Sequence, residues 1–221
     1  MAEHVHSLKL VSLLLQYPSE ERRQAAAAAG AAEVAPASRR QAERLRSFCE
    51  WYAATPAAEL QSLYVEAFDF TKQCSLHLTY HVHGDRRQRG MAMLRLKQAY
   101  RAAGLEPPGT ELPDFLPLML EFAALAPPDV GIALLEQNRV AIELVRAGLA
   151  REESPFAPLL GAVVDALPGL SARNLARIKR LAAEGPPHEE VGLEPFAPPE
   201  VMPVEGPESA RPLAGSGGGQ P

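Results

Sequence analysis

The chain has 221 residues, 47% of them hydrophobic, with a net charge of -5 and only two cysteines, Cys49 and Cys74. That length suits one domain with a sizeable core, and the cysteine count excludes both a disulfide framework and a CxxC metal or redox pair. Residues 185–221 carry Glu189, Glu190, Glu194, Glu200, Glu205 and Glu208 against Arg211 alone. Six acids and one base give -5, the whole net charge of the chain, so the remaining body is neutral. A neutral body without a basic stripe excludes a nucleic-acid surface.

Up to residue 184, apolar residues recur at spacings of three and four with no alternating strand pattern, which predicts an all-α, single-domain helical bundle. The first helix is expected from His4 to Tyr17, with Leu8, Val11 and Leu15 inward and Pro18 preventing continuation. Its apolar run from Leu10 to Leu15 is too short to span a bilayer and has no small-residue cleavage site beside it, so a cytoplasmic protein without membrane insertion is expected. An alanine-rich helix follows from Ser19 to Ala29. Ser38 and Gln41 form a capping-box pair ahead of a third helix striped by Ala42, Leu45, Cys49 and Tyr52. Thr55 is expected to cap the fourth helix, with Pro56 in its first turn and Leu60, Leu63, Tyr64, Ala67 and Phe68 forming a wide apolar face.

A helix from Cys74 to His83 should end at Gly84, and Asp85, with Gln88 three residues on, should cap the next. Met93, Leu96, Tyr100 and Ala103 stripe that helix until Gly104 and the Pro107-Pro108-Gly109 turn. Pro113 and Pro117 are compatible with a helix starting near Asp114, faced by Phe115, Leu118, Met119 and Phe122 and closed by Pro127-Pro128. Ile132, Leu135, Ile142, Val145 and Leu149 outline one long helix. Ser154-Pro155 caps a shorter one with Leu159, Leu160, Val163 and Leu167, and Ser171 opens a last one through Ala183. Residues 1–184 thus form the helical domain. Residues 185–221 hold nine prolines, seven glycines and no apolar periodicity, the composition of a disordered acidic tail. No repeat of solenoid length is found.

The densest chemistry lies in Cys74 to Met93, CSLHLTYHVHGDRRQRGMAM, with three of the chain's six histidines and three arginines. The HVHGD corner and its following R-x-R-G-x-A-M-like run resemble the signature of the respiratory nitrate reductase delta subunit, the NarJ-type chaperone family related to TorD-like redox-enzyme maturation chaperones. Leu63 to Asp69, LYVEAFD, is similar to that family's Y-x-E-x-F-D helix, and Glu111 to Pro117, ELPDFLP, to its ELPD-x-LP segment, in the same order. The resemblance implies a cytoplasmic, non-enzymatic chaperone without a cofactor of its own. It would bind the apo catalytic (alpha) subunit of nitrate reductase, including its N-terminal peptide, and allow molybdenum cofactor insertion before membrane docking. Client-peptide contacts are expected at Tyr64, Glu66, Phe68, Asp69, His83, Arg87, Arg89, Asp114, Phe115, Leu118 and Glu121, carboxylates and aromatics together suiting a groove for a basic amphipathic helix. The wider group places a histidine after the ELPD aspartate where this chain has Phe115, which separates it from leader-binding paralogues.

Two other readings stand beside this one. The client is a different molybdoenzyme, or the chain is a metal-dependent hydrolase with Cys74, His77, His81 and His83 on and beside one helical face. The hydrolase lacks an HExxH motif, and neither a GxSxG elbow nor a GxxxxGK[ST] phosphate loop is present. Asp114 at a helix start reads most simply as that helix's own cap. Arg86, Arg87 and Arg89 sit where the helix dipole disfavours cations, so they either pair with Asp85, Glu66 or Asp69 or form a polar rim for the client.

Overall fold

The computed structural model describes residues 3–31, 38–84, 86–107 and 109–185. Among them the fold is all-α, with eleven α-helices. The expected tail and the capping role of Asp85 lie outside the described residues.

Helix α1 (Glu3–Leu14) is shorter than its apolar run suggests, because Gln16 N–H turns back to the Leu13 carbonyl at 3.3 Å and closes the helix before Pro18. Leu8, Val11, Leu14 and Leu15 are buried, and α1 lies against α7 (Leu116–Leu125), where the Ser12 hydroxyl donates to the Pro117 carbonyl at 2.7 Å. Helix α2 (Glu20–Ala31) has little apolar bulk of its own and packs on α3 (Arg39–Ala54), with Arg23 donating to the Ala53 carbonyl at 2.7 Å. Ser38 caps α3 as expected, accepting the Gln41 N–H at 3.1 Å. Gln41 is fully buried, and its amide donates to the Ala162 carbonyl of α10 (Ala157–Asp165) at 2.9 Å, tying two helices together.

Thr55 belongs to the end of α3, not to the start of α4 (Ala57–Phe68): its hydroxyl donates to the Trp51 carbonyl at 2.7 Å, and Pro56 precedes the helix. Tyr64 and Phe68 of α4 meet Phe48 of α3 around the buried Phe156 ring, with centroids 5.1 to 5.9 Å from it. Phe156 therefore joins the first half of the chain to the second at the centre of the core. Ser154 acts one step earlier than expected, accepting the Phe156 N–H at 3.3 Å, and Pro158 occupies the first turn of α10.

The long helix expected through Ile132 and Leu149 is broken into α8 (Pro128–Gln137) and α9 (Arg139–Arg151). Asn138, with φ -100° and ψ 8°, sits at the break and donates its side-chain amide to the Leu134 carbonyl at 2.9 Å, a local bond that competes with the helical ladder. Gly131 lets α8 approach α7, since a Cβ there would meet the Ala123 carbonyl oxygen at 2.6 Å. Helix α11 (Ala172–Glu184) starts as predicted, the Ser171 hydroxyl accepting the Asn174 N–H at 3.2 Å. It packs along α9 through the buried Leu181 and leaves Arg173, Arg177, Lys179 and Arg180 outward.

Candidate functional site

The histidine-rich segment does not form the helix expected from Cys74 to His83. A 3-10 turn spans Lys72–Cys74, residues 75–77 are extended, and α5 covers only Leu78–His83 before Gly84 ends it with φ 57°. Ser75 to Leu78 is drawn out because it pairs with the segment before α7. Leu78 N–H donates to the Asp114 carbonyl at 3.0 Å and Leu116 N–H to the Leu76 carbonyl at 2.8 Å, an antiparallel bridge centred on His77 and Phe115. The His77 and Phe115 rings lie 5.4 Å apart. Two motifs separated by some thirty-five residues of chain are thereby clasped.

Asp114 is the hub of this clasp and is fully buried. It does not cap α7, which begins at Leu116 behind Phe115. Its carboxylate instead accepts the Thr79 N–H at 3.2 Å, satisfying an orphan donor in the first turn of α5, a helix without a side-chain cap of its own. The Thr79 hydroxyl also donates to the same carboxylate oxygen, His77 Nδ1 lies 3.3 Å from the other oxygen, and the Arg89 guanidinium stands 3.7 Å away. Burial alone would raise the Asp114 pKa. The hydrogen bonds from His77 and Thr79, with the charges of His77 and Arg89, outweigh burial and hold the carboxyl below its ordinary value.

Arg89 of α6 (Arg87–Ala102) also donates to the Thr79 hydroxyl at 3.3 Å and covers the Tyr80 ring at 6.0 Å; it faces the Asp114 carboxylate where Glu66 or Asp69 was expected, and the expected pairing with Asp85 lies outside the described residues. Tyr100 of the same helix donates its hydroxyl to the Pro113 carbonyl at 2.7 Å. Helices α5 and α6 and the approach to α7 are thus fixed around one carboxylate.

The four candidate metal ligands occupy separate environments. Cys74 ends the 3-10 turn, fully buried, its thiol pushed up to about 11 by burial. His77 belongs to the bridge. His81 is buried and donates Nε2–H to the Ser75 carbonyl at 2.7 Å; burial, only partly opposed by that bond, keeps its pKa below the ordinary value. His83 faces a different cleft, beside Arg95 and Arg177. Among the described residues no three His, Cys, Asp or Glu side chains are grouped so as to hold a metal ion. The helical face that the spacing suggested does not exist, because residues 75–77 are extended.

The expected client contacts likewise divide. Tyr64 and Phe68 are buried in the aromatic core, while Glu66, Asp69 and Arg87 are exposed at the ends of their helices. Asp114 and Phe115 belong to the clasp. Leu118 and Glu121 open onto a groove, a crevice of about 260 Å³ where α6 ends and α7 runs past, lined also by Tyr100, Leu105, Phe122 and Leu125. Glu106 and Glu121 stand at its edge, Glu106 within 3.9 Å of Arg101 and Glu121 paired with Lys9. Leu105, Glu106 and Leu125 were missed. The signal for Leu125 was its position at the end of an apolar helix just before Pro127-Pro128, which leaves it 62% exposed.

The family model described as nitrate reductase delta subunit matches residues 31–160. The probable nitrate reductase molybdenum cofactor assembly chaperone NarJ of Bacillus subtilis (strain 168) is 35% identical over 163 residues, covering 74% of this chain and 89% of that protein. The probable nitrate reductase molybdenum cofactor assembly chaperone NarW of Escherichia coli (strain K12) is 32% identical over 177 residues, 80% of this chain and 74% of its own length. The nitrate reductase molybdenum cofactor assembly chaperone NarJ of the same strain is 34% identical over 156 residues, 69% of this chain and 65% of that protein.

Proposed function

We propose that this chain, which belongs to the nitrate reductase delta subunit family, takes an amphipathic segment of the apo catalytic subunit, its N-terminal peptide, into the groove between α6 and α7. It is an assembly chaperone of nitrate reductase that serves molybdenum cofactor insertion. No bond is made or broken by it. Preferential binding of the immature client lowers the free energy of that state, and release follows when the mature fold withdraws the bound segment. The reading places the work in the cytoplasm, ahead of membrane docking; among the described residues no helix is long and apolar enough to cross a membrane.

The observation that carries the peptide site is the groove's chemistry: four aliphatic or aromatic walls, an exposed Leu125, and carboxylates at the edge. Such a surface suits a helix with one apolar face and a basic flank. Apolar contact supplies most of the affinity, since each buried Leu- or Phe-sized side chain contributes about 1.5 to 3 kcal/mol while an exposed ion pair contributes about 0.2 to 1. Glu106 and Glu121, already beside Arg101 and Lys9, therefore set orientation more than strength.

Calorimetric titration with the N-terminal peptide of the nitrate reductase catalytic subunit tests this. Leu125→Asp is expected to weaken binding by about tenfold or more without lowering the melting temperature, because that side chain is 62% exposed. Phe70→Asp, at an 81% exposed position outside the groove lining, serves as the control and should bind like the parent. Equal affinity in Leu125→Asp and the parent would move the peptide site to another face.

A further inference from the structure

A second cleft, of about 310 Å³, is bounded by α5, α6, the α8–α9 break and α11. Its floor includes the buried Leu78, Leu96 and Leu134, and its mouth carries Arg95, Arg177 and His83. Among the described residues no carboxylate lines it. Elsewhere arginines of this chain meet acids: Arg23 with Glu20, Arg44 with Asp165, Arg139 and Arg146 with Glu143. Arg95 and Arg177 have no ion-pair partner among the described residues. Two guanidinium groups on different helices line one concavity with no carboxylate beside them among the described residues, so the recess carries a positive potential that an anion would offset.

We propose that this cleft binds an organic phosphate, its phosphoryl group taken by Arg95 and Arg177 and its carbon skeleton laid on the leucine floor. A phosphate dianion matches two guanidinium charges and offers three acceptor oxygens to their planar donor forks. The volume lies at the lower end for small-molecule sites, and two guanidinium groups at one mouth match a single phosphoryl group better than the spaced carboxylates of an acidic peptide; a lipid surface would meet a convex basic patch more readily than a recess. His83 is held below its ordinary pKa by burial and by the fields of Arg177 and Arg95, so it stands neutral at the mouth and reports the local positive potential. The site shares no lining residue with the client groove.

Titration of the full chain at about 50 mM salt with inorganic phosphate and with 1-naphthyl phosphate tests the proposal. One site per chain is expected, submillimolar for 1-naphthyl phosphate and about tenfold weaker for inorganic phosphate, which lacks the apolar part. Arg95→Gln and Arg177→Gln should each weaken 1-naphthyl phosphate by about five- to tenfold with unchanged melting, both side chains being exposed. The His83 imidazole, followed by NMR, should titrate at higher pH once the anion is bound. The proposal is overturned if either variant binds like the parent, if 1-naphthyl phosphate binds no better than inorganic phosphate, or if His83 does not move. Tighter binding of tetraglutamate, or binding to anionic vesicles alone, would overturn it in favour of an acidic peptide or a membrane surface.

Discussion

Replacing Asp114 with asparagine keeps the side-chain shape and removes the charge on which the clasp is centred. The wild-type carboxylate accepts the Thr79 N–H and hydroxyl and faces His77 and Arg89. An asparagine turns one acceptor oxygen into a donor, so either Thr79 or His77 is left facing an N–H, and Arg89 loses the carboxylate charge beside it. Hydrogen bonds to a buried charged group contribute about 1.5 to 3 kcal/mol each, and a broken buried pair costs about 3 to 5. Arg89 sits at 3.7 Å with its side chain 21% exposed, so water recovers part of its loss. The expected destabilisation is about 2 to 4 kcal/mol, read as a lower urea midpoint at unchanged slope. Its pH dependence has a definite sign. A depressed carboxyl stabilises the fold above its unfolded pKa of about 3.9, and that stabilisation is lost as pH falls through the lower folded value. The gap between wild type and Asp114→Asn should therefore be full at pH 7 and close in strong acid. A variant as stable as the parent at pH 7 would refute the hub.

Other outcomes follow from neighbouring geometry. His81 is buried neutral, with its pKa below the ordinary value, so the unfolded chain takes up the proton first. Stability should be undiminished above about pH 6.5 and fall below it, with at most about 1.4 kcal/mol per pH unit from this group; His81→Gln should flatten that slope in urea titrations from pH 7.5 to 5. Gly131→Ala should cost about 1 to 3 kcal/mol because its Cβ would meet Ala123 backbone at 2.6 Å, whereas Gly90→Ala, with nothing within 4 Å, should be neutral or stabilising. Elemental analysis of the purified chain should find no stoichiometric zinc, since Cys74, His77, His81 and His83 point into separate environments.

The helices that were legible in the sequence are those with local causes: Ser38 and Ser171 cap the helices after them, and Gly84 ends α5, because these signals act within one turn. The misreadings have non-local causes. Leu135 and Ile142 are seven residues apart and stay in phase, so the apolar pattern runs through the Asn138 break without a mark. Ser75 to His77 keeps helical spacing in its side chains yet is drawn out by backbone bonds to Asp114 and Leu116, distant in the chain. Thr55 and Asp114 were assigned to the helices that follow them, whereas one closes the helix before and the other caps a helix from across the fold. Proximity along the chain could not decide either case.

The most recognisable motif residues and the groove residues consequently do different work, and a crossed experiment separates them. Asp114 is fully buried and fixes α5 against the approach to α7, and the Tyr100–Pro113 bond fixes α6 to the same approach. The groove lies between the two helices so positioned, and its exposed wall, Leu125, contributes little to the core. A domain of this size is stabilised by about 5 to 15 kcal/mol, so one that loses about 2 to 4 remains mostly folded at 25 °C. Asp114→Asn should then bind the client peptide within a few-fold of the parent while melting earlier. Leu125→Asp should melt like the parent while binding about tenfold or more weakly. If instead Asp114→Asn loses binding at a temperature where circular dichroism shows it folded, the clasp sets the groove's shape directly, and stability and recognition are not separable in this fold.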